Sequence, residues 1–352
     1  MGTSYNIWGG GGQAYDGQMT IWQIAAGSDQ RDYVNDFLDR GLAFVGGQKQ
    51  IALLEKVRPG DLLVLKRGLT KVEAIGEVFS HGETHGGRGD KHWLRDFDGW
   101  DLEAYVYVKW KRPTIEVPPE GLTRGTISRI HQEHLQQAVV DAFKSGLAIE
   151  SSVSEPGPTT KVGDEHILSS LISHGMAARS AEDLTQAFAR IRRLARYYRQ
   201  ECDWRDVREH ETRTFLVVPL LQALGWAEQQ IKIELAVPGG RVDLACFHRP
   251  YRRNAAGHAN GADCELIIET KGFAQGLNLA PDQAKGYAKF YPSTRAVVVT
   301  NGYCYKVYAK VDGSISSVPS SYLNLLDPRN RYPIDPERTA GCLEVLIDLL
   351  PT

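Results

Sequence analysis

ELIIETK, residues 265–271, sets an apolar triplet between Glu265 and Glu269 and closes on Thr270 and Lys271. A short apolar run of this kind, rich in β-branched residues, fits a buried strand. Side chains two apart on a strand share a face, so Glu269 and Lys271 should project together where the strand ends. A carboxylate in that place rarely serves packing, and the spacing suits a metal ligand beside a cation.

Three other stretches line up with it. GGRVDLACF, residues 239–247, puts Asp243 in a run of alternating β-type residues. ETRTFLVVPLLQALGW, residues 211–226, opens a helix with Glu211. DQAKGYAKFY, residues 282–291, carries Gln283 and Tyr287 one helical turn apart and so on one face. This order (helix with Glu, strand with Asp, strand with Glu-x-Lys, helix with Gln) resembles the PD-(D/E)XK nuclease superfamily. More narrowly, residues 205–310 are similar to the nuclease domain that opens type I restriction R subunits, which also carries a PLL-x-x-LGW helix, here 219–226, and a late TNG turn, here 300–302. Val242 stands where the superfamily's name has proline, and Pro219 should kink its helix or start a new one.

The resemblance implies hydrolysis of phosphodiesters. That reaction needs an activated water, relief of charge on phosphorus and relief of charge on the leaving oxygen, and a hard divalent cation on carboxylates can serve all three. Mg²⁺, with Mn²⁺ as a substitute, would be held by Asp243, Glu269 and the backbone carbonyl of Thr270. Lys271 would position the water, Glu211 would complete the shell, and Gln283 would lie beside the site, with Tyr287 a weaker candidate. Each also has a plain alternative: Asp243 paired with Arg241, Glu269 with Lys271, and Glu211 set against the helix dipole.

Upstream, the texture is different. MTIWQIAAG (19–27), LAFVGG (42–47), VRPGDLLVLKRG (57–68), KVEAIGEVFS (71–80) and DLEAYVYVKWKRP (101–113) suggest strands with one early helix, hence a small barrel. Through GDLLVLKRG, AIGEVFS and YVYVKW, residues 19–113 resemble the PUA-like barrels, in particular the EVE and related domains that read modified bases. The resemblance implies a flipped base held among aromatic rings, each stacked ring contributing about 1–3 kcal/mol. Trp22, Phe44, Trp93 and Trp100 could line such a pocket. A tryptophan on a barrel strand is more often a core residue, so Trp22 carries both readings. Trp93 and Trp100 lie in a polar loop, KHWLRDFDGWD, where rings often serve binding or else close the barrel's end. His81, His85 and His92 fit no standard zinc spacing and suit a solvated loop better than a metal site.

ISRIHQEHLQQAVVDAFKSG (127–146) has apolar residues at helical spacing, and the Pro/Gly/Ser composition that follows marks a linker at 150–163. The expected organisation is therefore a glycine-bearing lead-in at 1–18, a base-reading barrel with a trailing helix at 19–149, the linker, and a mixed-sheet nuclease domain at 164–352. The class is α/β plus a small β-barrel. SAEDLTQAFARIRRLARYYRQ (180–200) should be an amphipathic helix. Its five arginines within ten residues (Arg190, Arg192, Arg193, Arg196 and Arg199) either follow a DNA backbone or form a solvated face.

A formal net charge of −2 gives no global attraction to nucleic acid, so affinity must come from such patches. The five cysteines are scattered without a C-x-x-C pair, as expected of reduced thiols. No apolar run approaches the ~20 residues of a membrane span, and a cytoplasmic protein is expected. The combination points to an endonuclease on base-modified double-stranded DNA, similar to modification-dependent, type IV restriction systems that act against phage. Such an enzyme would need two copies to cut both strands, which makes a homodimer plausible. The rival reading is a non-catalytic reader of modified DNA or RNA that keeps the nuclease fold as a scaffold.

Overall fold

The chain divides into one unit of Met1–Lys91 with Asp101–Glu155 and another of His92–Trp100 with Pro156–Thr352. The computed structural model describes residues 19–28, 31–152, 155–203, 205–252, 263–278 and 281–352. The glycine run at 9–12 and residues 253–262 of the long insert lie outside the described residues.

In chain order the first unit contains β1 (Ile21–Ala25), β2 (Gly27–Ser28), β3 (Arg31–Asp32), α1 (Val34–Arg40), β4 (Leu42–Val45), α2 (Gln48–Leu54), β5 (Leu62–Arg67), β6 (Lys71–Val78), β7 (Gly86–Arg88), β8 (Ala104–Arg112), β9 (Ile127–Arg129), α3 (Glu133–Ser145) and β10 (Leu147–Ala148). Its main sheet runs β10-β8-β6-β5-β1-β9. β8 is long enough to take two sets of partners, β4 and β7 along its first half and β6 and β10 along its second. That exchange of partners curls the sheet. β1 and β5 pair in parallel, which the sequence did not suggest, because α1, β4 and α2 form the crossover that a parallel pair requires. The helix expected from residue 127 begins only at Glu133; Ile127–Arg129 pairs with β1 instead, and the side chains of Ile127 and Ile130 are buried there. The core gathers Ile21, Leu62, Val64 and Ile75 from the sheet against Leu135, Val139 and Ala142 of α3.

The second unit contains α4 (Asp164–Ser173), α5 (Ala178–Gln200), α6 (Glu209–Thr212), α7 (Val218–Ala223), β11 (Ile231–Val237), β12 (Gly240–Phe247), β13 (Cys264–Thr270), α8 (Pro281–Ala288), β14 (Ala296–Thr300), β15 (Cys304–Val311), β16 (Ser314–Ile315), β17 (Ser321–Asn324) and α9 (Cys342–Leu349). The sheet order is β11-β12-β13-β14-β15-β16, with β17 also on β15. Only β13 and β14 run parallel, joined through α8, and every residue of both is buried. Continuous burial is why ELIIET shows no alternation. The protein is thus mixed α/β, with a curled sheet in each unit. Among the described residues no helix is long and apolar enough to cross a membrane.

Two segments behave differently from their composition. Residues 156–163, expected as linker, dock on the second unit: Thr160 and Val162 donate backbone hydrogen bonds to Asn330 Oδ1 and the Pro328 carbonyl, and Asn330 donates back to Thr160. Residues 92–100 leave the first unit's chain to join the second. There Asp96 Oδ1 accepts hydrogen bonds from the Gly99 amide, Tyr322 Oη and Asn324 Nδ2, each at 2.9 Å, and Asp98 pairs with Lys306 at 2.8 Å and accepts from Tyr332 Oη.

Candidate active site

β13 is buried to its last residue, and Glu269 is 3% exposed. The chain stays extended past the strand, since the Lys271 amide donates to the Thr300 carbonyl at 2.8 Å. Glu269 and Lys271 therefore do share a face, and Lys271 Nζ donates to Glu269 Oε1 at 2.7 Å. β12 lies antiparallel alongside, with Leu244 opposite Ile268, which brings Asp243, in the middle of β12, beside the end of β13. Its Oδ2 accepts from the Thr270 amide at 2.7 Å and from Thr270 Oγ1 at 3.0 Å. Thr270, expected to offer its carbonyl to a metal, also fixes the Asp243 carboxylate through its amide and hydroxyl.

The carboxyl that the helix presents to Asp243 is that of Glu209, not Glu211. Glu209 shares a hydrogen bond with Asp243, and its carboxyl is pushed up to about 7, by burial first and then by the charge of Asp243, with Lys271 opposing. Glu211 is exposed, and its Oε2 accepts from the Arg208 amide at 2.7 Å, capping the helix start. Glu269 is likewise raised, by burial and then by Asp243.

The backbone explains this orientation. Between α6 and α7 residues 213–217 form a π-turn, and Pro219, which has no N–H to offer the preceding turn, sits at the start of α7. Glu209, Arg213, Leu216, Leu220 and Leu224 follow one stripe, and Arg213 and the three leucines are buried. Glu211 lies off it. The TNG turn packs beneath: Gly302 has φ of 91° and approaches Thr212 and Leu216 so closely that an added Cβ would lie 2.5 Å from Leu216 Cδ1. Asn301, fully buried, shapes the turn by accepting from the Cys304 amide at 3.0 Å.

Arg213 is the second residue that the sequence reading passed over. It is 4% exposed, donating from Nη1 to Asp243 Oδ1 at 3.4 Å and from Nη2 to Glu234 Oε1 at 3.1 Å and His210 Nδ1 at 2.6 Å. The four-residue spacing of Glu209 and Arg213, in register with the leucines, was the signal for both.

Gln283 is exposed on α8, and its amide donates to Tyr287 Oη at 3.1 Å; among the described residues it makes no hydrogen bond to Lys271. Tyr287 reaches across to β12, its hydroxyl filling the space that a Cβ on Gly240 would take. Of the five arginines on α5, Arg192 is structural. It forms a two-pronged pair with Asp164 at 2.5 and 2.8 Å and donates to the Leu325 carbonyl. Arg190, Arg193, Arg196 and Arg199 are exposed, and among the described residues none has a carboxylate within ion-pair distance. Arg190 and Arg193 share one face of α5 with Gln186 and Ala189.

The four rings expected in one pocket fall in different places. Trp22 is buried in the first unit with Nε1 donating to Asp61 Oδ2 at 3.0 Å, and Phe44 is buried against Phe37 with ring centroids 4.4 Å apart. Trp93 is buried beside Phe97 in the second unit, where Trp100 pairs through its backbone with Phe97. Another aromatic group in the first unit reaches the surface only through Phe79 and His81, since Tyr105 and Tyr107 are 4% and 7% exposed. Tyr107 lies 5.5 Å from Tyr105, 6.0 Å from Phe79 and 5.0 Å from exposed His81, centroid to centroid, with the Lys91 ammonium 4.5 Å from the Tyr105 ring centroid.

The site's donors suit a hard cation: Asp243 and Glu269 raise each other's energy when both are ionised, and oxygen is all they offer. Among the described residues no group of three or more His, Cys, Asp or Glu side chains stands ready to hold a metal. Two carboxylates, with remaining positions left to peptide oxygen and water, match the habit of Mg²⁺. Comparisons with models of protein families, with curated proteins and with solved structures find no match to this chain.

Proposed function

We propose that the second unit is a PD-(D/E)XK-type, Mg²⁺-dependent endodeoxyribonuclease, with Mn²⁺ able to replace Mg²⁺, and that the first unit is a PUA-like reader of modified bases, modified cytosine foremost. The observation that carries the reading is the meeting of Asp243, Glu269, Lys271 and Glu209 where β13 ends beside the middle of β12, in the order along the chain that the resemblance implies. A divalent cation on Asp243 and Glu269 would supply charge relief and a more acidic water. Lys271, tied to Glu269 and half-buried, would orient the attacking water and offset phosphate charge. Thr270 keeps Asp243 in place. Glu209, as a carboxyl whose proton is poised near neutrality, can take up or release a proton beside Asp243.

The exposed arginines of α5 would track the DNA backbone. For base reading, half-buried Phe79 and exposed His81 are the rings of this group that solvent reaches, whereas Trp22, Phe44, Tyr105 and Tyr107 are buried. Such an enzyme acts in the cytoplasm against foreign DNA, and cutting both strands would take two copies of the chain.

The test is cleavage of matched duplexes carrying unmodified, methylated, hydroxymethylated or glucosylated cytosine, or methylated adenine, with and without Mg²⁺, beside the Lys271→Ala variant. Metal-dependent cutting of one modified duplex, lost in the variant, is expected. Equal cutting of all duplexes would remove the reader and leave a plain nuclease. Selective binding without cutting would favour a non-catalytic reader.

A further inference from the structure

His210 stands on α6, one residue past Glu209, with its side chain 78% exposed. Only one edge of its ring is tied down. Nδ1 meets Arg213 Nη2 at 2.6 Å, and a guanidinium can only donate, so Nδ1 accepts and carries no proton. Glu234 Oε1, 4.0 Å from the same nitrogen, is beyond hydrogen-bond reach. The ring is therefore held as the neutral tautomer with its proton on Nε2, and among the described residues that N–H meets no acceptor. Arg213, 4% exposed and forked between Asp243 and Glu234, is a rigid anchor for this arrangement.

The order of groups across the sheet is a second, independent observation. The strands run β11, β12, β13. Lys271 is tied to Glu269 at the end of β13, and Asp243 stands on β12. Arg213 reaches past Asp243 to Glu234 on β11, and His210 is bonded to that farther nitrogen. Lys271 and His210 thus flank Asp243 from opposite sides along the sheet. Displacement at phosphorus sets the attacking and leaving oxygens roughly in line, on opposite sides of the phosphorus. With Lys271 on the side of the attacking water, the departing oxygen falls on the side of His210.

Resting on the nuclease reading above, we propose that His210 is a further catalytic residue, a neutral imidazole whose Nε2–H donates a hydrogen bond to the oxygen that leaves phosphorus. In that step the water oxygen bonds to phosphorus as the bond to the leaving oxygen breaks, and the electron pair of the broken bond goes to the leaving oxygen. The attacking water gives a proton to solvent, and the leaving oxygen takes one from solvent. His210 keeps its own proton throughout and stabilises the charge as it forms, as a preorganised donor does. Arg213 is the positioning residue that holds the tautomer.

The test compares the full-length protein with His210→Ala and with His210→Gln, which keeps a neutral N–H donor, the folding of each checked by a cooperative melt. Each is assayed with Mg²⁺ on every duplex that the unaltered protein cuts, and on the same duplex with sulfur in place of the leaving bridging oxygen, 3′ or 5′ as the product ends show. A thiolate leaves with far less help than an alkoxide, and sulfur accepts hydrogen bonds weakly. At saturating DNA, His210→Ala should slow cutting of the oxygen duplex by about 10²–10³-fold and of the sulfur duplex by less than about threefold, with DNA affinity within about twofold of the unaltered protein. His210→Gln should recover about tenfold of the loss. Equal losses on both duplexes, or a loss of affinity alone, would make His210 a DNA contact and overturn the proposal. A glutamine variant no better than alanine also overturns it, since that is the result an imidazolium acid would give. If the unaltered protein cuts no duplex at all, the nuclease reading falls and takes the role of His210 with it.

Discussion

Glu209 and Glu211 are two residues apart on a helix, about 200° around its axis, so only one of them can face the sheet. The leucine stripe decides in favour of Glu209. Glu209→Gln should lower metal-dependent cleavage by about 10–100-fold, whereas Glu211→Ala should cost about 0.5–1 kcal/mol of helix capping and leave cleavage in place. Paired cleavage assays and urea melts separate the two. Asp96 offers a pH test away from the site. Burial pushes its carboxyl up to about 6, against hydrogen bonds from Asn324, Tyr322 and Gly99 that favour the charge. A raised carboxyl means the folded protein prefers it protonated, so this contribution to stability is full below the usual aspartate value and is lost as pH rises from about 4 to 6. Over that window it amounts to about 3 kcal/mol, and urea melts of Asp96→Asn should lack that part of the slope. Glu269 and Lys271 were legible in the sequence because strand period puts them on one face, whereas Asp243, in the middle of β12, was set beside them only by the resemblance. Glu209 was harder to see, since its only signal was its spacing from Arg213 and the leucines, and the resemblance pointed to Glu211.

At the scale of elements, the β14–β15 turn supports the helix that carries Glu209 and Arg213. Gly302→Ala should cost about 1–3 kcal/mol from crowding against Leu216 and Thr212 alone, with added strain from its positive φ. Thermal melts and cleavage should fall together, because the turn underlies the site's helix. ELIIET was readable as a strand from its unbroken apolar run, and α5 from Leu184, Phe188, Ile191 and Ala195, all buried as the period requires. The 92–100 segment was not readable. Its acids and rings looked like a solvated loop because the partners that neutralise them, Lys306, Tyr322, Asn324 and Tyr332, lie more than 200 residues later.

For the whole molecule, a net charge of −2 means that the proposed binding to DNA would depend on local fields. If Arg190, Arg193 and Arg196 contact phosphates, each replacement by alanine should reduce the slope of log affinity against log salt by about 0.9, with melting unchanged. Arg192→Ala should do the reverse, lowering stability through the lost Asp164 pair and leaving the salt slope as it was. Filter binding at several salt concentrations, beside melts, distinguishes them. The division near residue 155 could be anticipated from proline and glycine content, but composition says nothing of which partner a polar stretch finds.

The excursion of residues 92–100 limits how this gene can be cut and recombined. A fragment beginning at Pro156 would lack Asp96 and Asp98, leaving Lys306, Tyr322 and Asn324 in a buried place without the carboxylates they serve, and breaking a buried pair typically costs about 3–5 kcal/mol. The carboxyl-terminal half is therefore not a portable module: exchange of the amino-terminal half for another domain would have to carry these nine residues along, so the two halves are expected to be inherited together.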